Sequence, residues 1–219
     1  MGTMIVSEKK TKTMIVNFTD RFQFHTRLRL KSQNVEVVKK MKILGTIFNE
    51  KLTWNENCDA IVKKVNCRMQ LIRKISSFGS NPKELVHLWK TFCLSLLEQS
   101  CVVWGGMITA ENRKDLERTQ KNFTKLALQD KFTTYKSALV SLGLESLEKR
   151  RQKLTLKFAK TSLADGHFKG LILKKNPRKG PQTRHKEYFQ VTRAHTERFR
   201  KSPILTMQKL LNIDRQKLY

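Results

Sequence analysis

The 219 residues are long enough for one sizeable domain, or two small ones, with a real core. Forty-five Lys and Arg against 18 Asp and Glu leave a net charge of +27, and an excess that large repels itself unless a polyanion lies beside it. Nucleic acid is the expected partner, ahead of an acidic membrane surface, and composition points to binding rather than to a reaction.

Residues 1–52 carry β signals: Met4-Ile5-Val6, Thr13 to Phe18, Val35 to Val38, and Lys42 to Phe48. These short β-branched runs are separated by charged turns such as Glu8-Lys9-Lys10 and Lys39-Lys40. Strands this short build a thin antiparallel sheet with little core of its own.

From 53 to 165 the apolar period becomes that of a helix. Thr53 and Glu56 have capping-box spacing, and Cys58, Ile61, Val62, Val65, Met69, Ile72 and Ile75 form one stripe ending before Gly79. Opposite it, Lys63, Asn66, Gln70, Arg73 and Lys74 share an arc of about 100° at 100° per residue, a basic stripe suited to a phosphate backbone. Asn81-Pro82-Lys83-Glu84 opens a second helix, whose Leu85, Leu88, Trp89, Phe92, Leu96 and Leu97 predict the buried centre of a bundle, broken by Gly105-Gly106. Thr109 caps a third helix with Leu116, Phe123, Leu126 and Ala127 inward. A short helix over Tyr135 to Leu142 stops at Gly143, and a fifth starts at Ser146 and runs through Leu147, Leu154 and Phe158. Four to five helices with short connections predict a compact bundle.

Residues 166–219 form a basic tail. From 168 onward it holds fourteen Lys and Arg against Glu187, Glu197 and Asp214, a net of +11, with three of the four prolines. Extended backbone is expected except over 202–212, where Ser202 and Pro203 start a helix. The fold class is therefore α+β, mainly α.

No reaction centre is visible. The 18 acids include no adjacent pair, and no phosphate-cradling glycine loop or nucleophile elbow occurs. Cys58, Cys67, Cys93 and Cys101 have spacings of 9, 26 and 8, without a C-x-x-C, and the five histidines are scattered, so zinc spacing is absent and buried reduced thiols are expected. Met4-Ile5-Val6 is too short for a signal sequence, Val6 breaks a myristoylation pattern, and the apolar run from Cys101 to Ile108 is too short to span a bilayer. An intracellular protein, nuclear or cytoplasmic, is expected, and the sequons at Asn17 and Asn122 are then chance matches.

Several segments resemble, in order, the reverse transcriptases of non-LTR retrotransposons, most closely the jockey-like elements. Ser7 to Phe18 looks like the family's N-x-x-K-T-K-x-M segment, which follows its catalytic Asp pair. Lys42-Ile43-Leu44-Gly45-Thr46-Ile47 and then Leu52-Thr53-Trp54 resemble the family's Y-L-G-V-x-I and L-x-W, its primer-contacting hairpin. The likeness continues at Leu97-Glu98, Val103-Trp104, Leu116 to Lys121, Leu144 to Leu147 with Arg150-Arg151, Phe158 to Lys160, Ser202-Pro203-Ile204 and Leu210 to Asn212. Ser7 stands where the family has Asn, and Ile43 where it has an aromatic.

The resemblance implies the end of a palm with its primer-contact hairpin (1–52), a thumb-like bundle (53–165) and a tail (166–219) of an RNA-directed DNA polymerase. The catalytic Asp residues that hold the family's Mg ions would lie before Met1, so the chain alone is expected neither to polymerise nor to hold a cofactor. Lys10 would be the family's lysine beside the leaving pyrophosphate, and Lys42 and Gly45 would belong to the primer contact. Lys63, Lys74, Arg178, Lys179, Arg198, Arg200 and Lys201 are the expected phosphate contacts, with Tyr188, Phe189 and Phe199 to stack on bases. The alternative is a stand-alone basic nucleic-acid-binding or interaction module, ribosome- or chromatin-associated, with no enzymatic role.

Overall fold

A computed structural model describes residues 7, 11–18, 28–30, 33–165, 170, 189 and 191–216. The fold is α+β and mainly α, and it divides into two compact units, Met1–Asn57 and Cys58–Tyr219. Among the described residues, no helix is long and apolar enough to cross a membrane.

Among the described residues, the strands of the first unit pair in twos. β1 (Lys12–Thr13) lies parallel to β4 (Glu36–Val37), with Lys12 bridging to Glu36 at 3.0 Å. That pairing is parallel where the sequence predicts an antiparallel sheet. β2 (Arg29–Leu30) and β3 (Gln33–Asn34) form a minimal antiparallel pair. The predicted run from Lys42 to Phe48 is a hairpin, β5 (Lys40–Ile43) and β6 (Thr46–Asn49), turning at Leu44-Gly45. Both turn residues have positive φ, 47° and 87°, as a type I′ turn requires. Glycine accepts this conformation freely, whereas Leu44 strains its backbone and is 89% exposed.

Among the described residues of this unit, the buried groups are Thr46, Trp54 and Asn57. Phe48 meets Trp54 edge to face at 5.4 Å, and the Ile47 amide donates to Asn57 Oδ1 at 3.0 Å. The capping box expected at Thr53 is replaced by another arrangement. The Thr53 amide donates to Asn49 Oδ1 and its hydroxyl accepts from Asn49 Nδ2, while α1 (Asn55–Ser76) starts two residues later.

Helices build the second unit, and their ends follow local chemistry. On α1, Cys58, Ile61, Val65, Met69 and Ile72 are buried, and Gly79 turns the chain at φ +86°. The Asn81 side chain accepts from the Glu84 amide while Glu84 accepts from the Asn81 amide, a full capping box for α2 (Pro82–Leu88). The next six residues, Trp89–Leu94, form a π-helical turn before α3 (Ser95–Glu98). The wider turn shifts the helix phase, so Cys93 and Leu94 join Leu85, Val86, Trp89 and Leu97 in the core, while Phe92 is 43% exposed. The Phe92 carbonyl accepts from Arg68 Nη1, which compensates for the disturbed ladder.

Ser100, at φ +53°, separates α3 from α4 (Cys101–Trp104). α5 (Ala110–Leu128) starts where the Thr109 side chain accepts from the Asn112 amide, and it buries Leu116, Phe123 and Ala127. Phe123 stacks on Trp89 at 4.6 Å. α6 (Tyr135–Ser141) ends before Gly143, at φ +59°, and α7 (Leu147–Asp165) follows. Here the expected apolar face is only partly right. Leu147 is buried, but Phe158 is exposed, and the inward face continues through Arg151, Thr155, Ala159 and Ser162.

The tail is not all extended. α8 (Glu197–Arg200) and α9 (Pro203–Gln216) follow Val191, and α9 packs on α7. Met207 and Leu211 close over Ala159 and Phe189, and Lys160 pairs with Asp214 at 2.6 Å.

Candidate nucleic-acid interface

The residues of the resembling motifs have structural work in the second unit. Tyr135 donates to Glu117 Oε1, and the Leu147 amide donates to the same oxygen at 3.2 Å, so Glu117 of α5 caps the start of α7. Gln120 Nε2 donates to the Glu145 carbonyl at 2.9 Å and to the Tyr135 hydroxyl at 3.1 Å. Burial, and then the Glu117 carboxylate, push the Tyr135 phenol well above its ordinary range. Glu98 pairs with Arg150, whose guanidinium is thereby held more firmly charged. Burial pushes the thiols of Cys58, Cys93 and Cys101 up, to about 12, 11 and 11, while Cys67 is exposed.

The predicted contacts fall into three places. Lys42 is exposed on β5, and Gly45 sits at the hairpin tip in the first unit. Lys63 and Lys74 are exposed on α1 of the second, with Lys64 and Arg73 beside them, and none of the four has an ion-pair partner among the described residues. Lys74 lies eleven positions after Lys63, a span of about 16 Å along a rigid helix. Lys10, Arg178, Lys179 and Tyr188 lie outside the described residues.

Phe189 is corrected as a stacking residue. It is 2% exposed, and its amide and carbonyl are clamped by the Asn212 side chain at 3.0 Å each, so its ring belongs to the core. Phe199, at 42%, remains open to a base.

Arg198, Arg200 and Lys201 lie on or just after α8. Arg200 and Lys201 share Glu197, the latter at 3.1 Å. Both line a cavity of about 350 Å³ in the second unit, which sequence reasoning did not find. Its other cations are Arg113 of α5, Arg151 of α7 and Lys209 of α9, positions far apart in the chain. Gly105 and Gly106 form part of the wall. A Cβ on Gly105 would meet Arg151 Cδ at 3.2 Å, and one on Gly106 would meet the Lys201 carbonyl at 3.1 Å. The glycine pair that marks a helix break in the sequence thus lets the Arg151 stem and the α8–α9 link approach closely.

Among the described residues, no group of three or more His, Cys, Asp or Glu side chains is placed to hold a metal ion. No protein-family model, curated protein or solved structure matches the chain.

Proposed function

We propose that this chain grips the backbone of nucleic acid as part of a non-LTR retrotransposon reverse transcriptase, and that it does not polymerise alone. The carrying observation is the α1 face: Lys63, Arg73 and Lys74 are exposed, lack ion-pair partners among the described residues, and share the arc opposite a buried apolar stripe in a chain of +27. Unpaired cations along a rigid helix gain more from phosphates than from water, because binding releases the counterions condensed on the nucleic acid. Exposed Val37 and Ile43 on two-stranded pairs support the palm part of the reading, since strands in that state suit a larger sheet.

Affinity for a mixed-sequence oligonucleotide is expected to fall with salt. Three α1 contacts contribute a log–log slope of about −2 to −3, and six contacts in all give about −4 to −5. Lys63→Glu with Lys74→Glu lowers the slope by about 1.5–2 and weakens all sequences alike. A salt-independent affinity, or one confined to a single sequence, contradicts the reading. Primer extension with Mg²⁺ or Mn²⁺ is expected to stay at background.

The second reading is a basic nucleic-acid-binding or interaction module of another class, ribosome- or chromatin-associated. The well-filled core of the second unit, with Trp89, Trp104 and Phe123 fully buried, favours it. It requires affinity for one defined partner well above that for bulk nucleic acid.

A further inference from the structure

We propose that the cavity between α5, α7 and the α8–α9 segment is a phosphate-binding site that takes a phosphate group of the nucleic acid. The inference deepens the backbone-binding reading by assigning one phosphate to one cavity. Five cations line the cavity against Glu148 and Glu197, a formal excess of +3 in about 350 Å³. That is room for roughly ten waters at about 30 Å³ each, ample for a tetrahedral anion and part of its hydration.

Arg151 makes the cavity more than a basic patch. It is only 5% exposed, it lines the cavity, and its Nη1 has no hydrogen-bond partner. A buried guanidinium donor left unsatisfied is costly, and native proteins rarely keep one without a reason. Glu117 and Glu148 favour its charge from a distance, but the two carboxylates in the cavity wall are engaged by other cations. Glu148 is 3.5 Å from Arg113, and Glu197 is held by Arg200 and Lys201. Burial lowers the Arg151 pKa by disfavouring the charged form, and an anion in the cavity would act in the opposite direction. Guanidinium forks match phosphate oxygens in pairs, and Arg113, Arg151 and Arg200 supply three of them, with Lys209 as a point charge that has no acid partner among the described residues.

The test uses the full chain, with inorganic phosphate as the first probe. At ten times its dissociation constant, phosphate should raise the thermal midpoint by roughly 3–6 °C over chloride at equal ionic strength. Lys209→Gln should reduce that shift and Lys209→Glu abolish it, while Lys136→Glu, the same charge change on exposed α6, should leave it intact. Lys209 is exposed, so its variants should fold, which Arg151→Met need not do. The source of the phosphate is read from a second arm, oligonucleotide binding against salt. Loss of about one unit of slope in Lys209→Glu places a nucleic-acid phosphate in the cavity. An unchanged slope with the phosphate shift abolished overturns the nucleic-acid assignment and leaves a site for free phosphate. Equal midpoints in phosphate and chloride, or a shift that persists in Lys209→Glu, overturn the site itself. Phosphate stabilisation in a chain that binds no oligonucleotide would refute the function proposed above and spare the cavity.

Discussion

The two units use opposite means to order a chain. In Cys58–Tyr219 helix starts are capped by Asn81, Thr109 and Glu117, and the core fully encloses Trp89, Trp104, Phe123, Leu97 and Leu116. In Met1–Asn57 the buried groups among the described residues are Thr46, Trp54 and Asn57, and order comes from one hairpin and a few backbone hydrogen bonds. Helices satisfy their own backbone and can spend side chains on a core. Strands must borrow backbone partners, and pairs of strands leave both the outer edges and the apolar faces open.

The strongest way to break this comparison is to truncate a side chain in each unit. Trp104→Ala or Phe123→Ala should destabilise the second unit by about 3–5 kcal/mol, read by denaturant unfolding, because a large cavity replaces a fully buried ring. Phe18→Ala, on an exposed ring, should change stability by less than about 0.5 kcal/mol. Similar losses in both would mean that the first unit has a core of its own.

Glu117→Ala removes the acceptor shared by Tyr135 and the Leu147 amide, and about 1–3 kcal/mol of stability should go with it. Amide exchange should quicken first at the start of α7; a uniform change along the chain would argue against a local cap.

Thiol chemistry sharpens the same contrast in burial. At neutral pH a thiol reagent should modify Cys67 alone in the native protein and all four cysteines in denaturant. The sign with pH follows from the raised values. The folded chain holds the protons of Cys58, Cys93 and Cys101 that the unfolded chain releases from about pH 9. Their contribution to stability is therefore complete below pH 9 and lost as pH rises towards 11–12. A midpoint that does not fall over that window would contradict the burial.

The smallest effect belongs to the hairpin. Leu44→Asn relieves a left-handed backbone that leucine adopts reluctantly, and a gain of up to about 1 kcal/mol confined to the first unit is expected. Slower amide exchange over Lys40–Asn49 would register it.

What the sequence determined by itself is mostly local. Asn81-Pro82-Lys83-Glu84, Thr109, Gly79 and Gly143 set helix ends, because a cap or a left-handed turn is decided within four residues. The stripe on α1 and its basic opposite face were legible for the same reason, since one helix carries both. Tertiary structure decided what no local pattern contains. The π-helical turn rotated Phe92 outward, and α7 buried Arg151, Thr155 and Ser162 where apolar periodicity pointed to Leu154 and Phe158. Phe189 became core because Asn212, 23 residues on, holds its backbone. The cavity exists because α5, α7 and α9 converge on two glycines that admit a close approach. Periodicity reports a mean apolar face, whereas a buried polar side chain is placed by the particular partners that long-range packing brings to it.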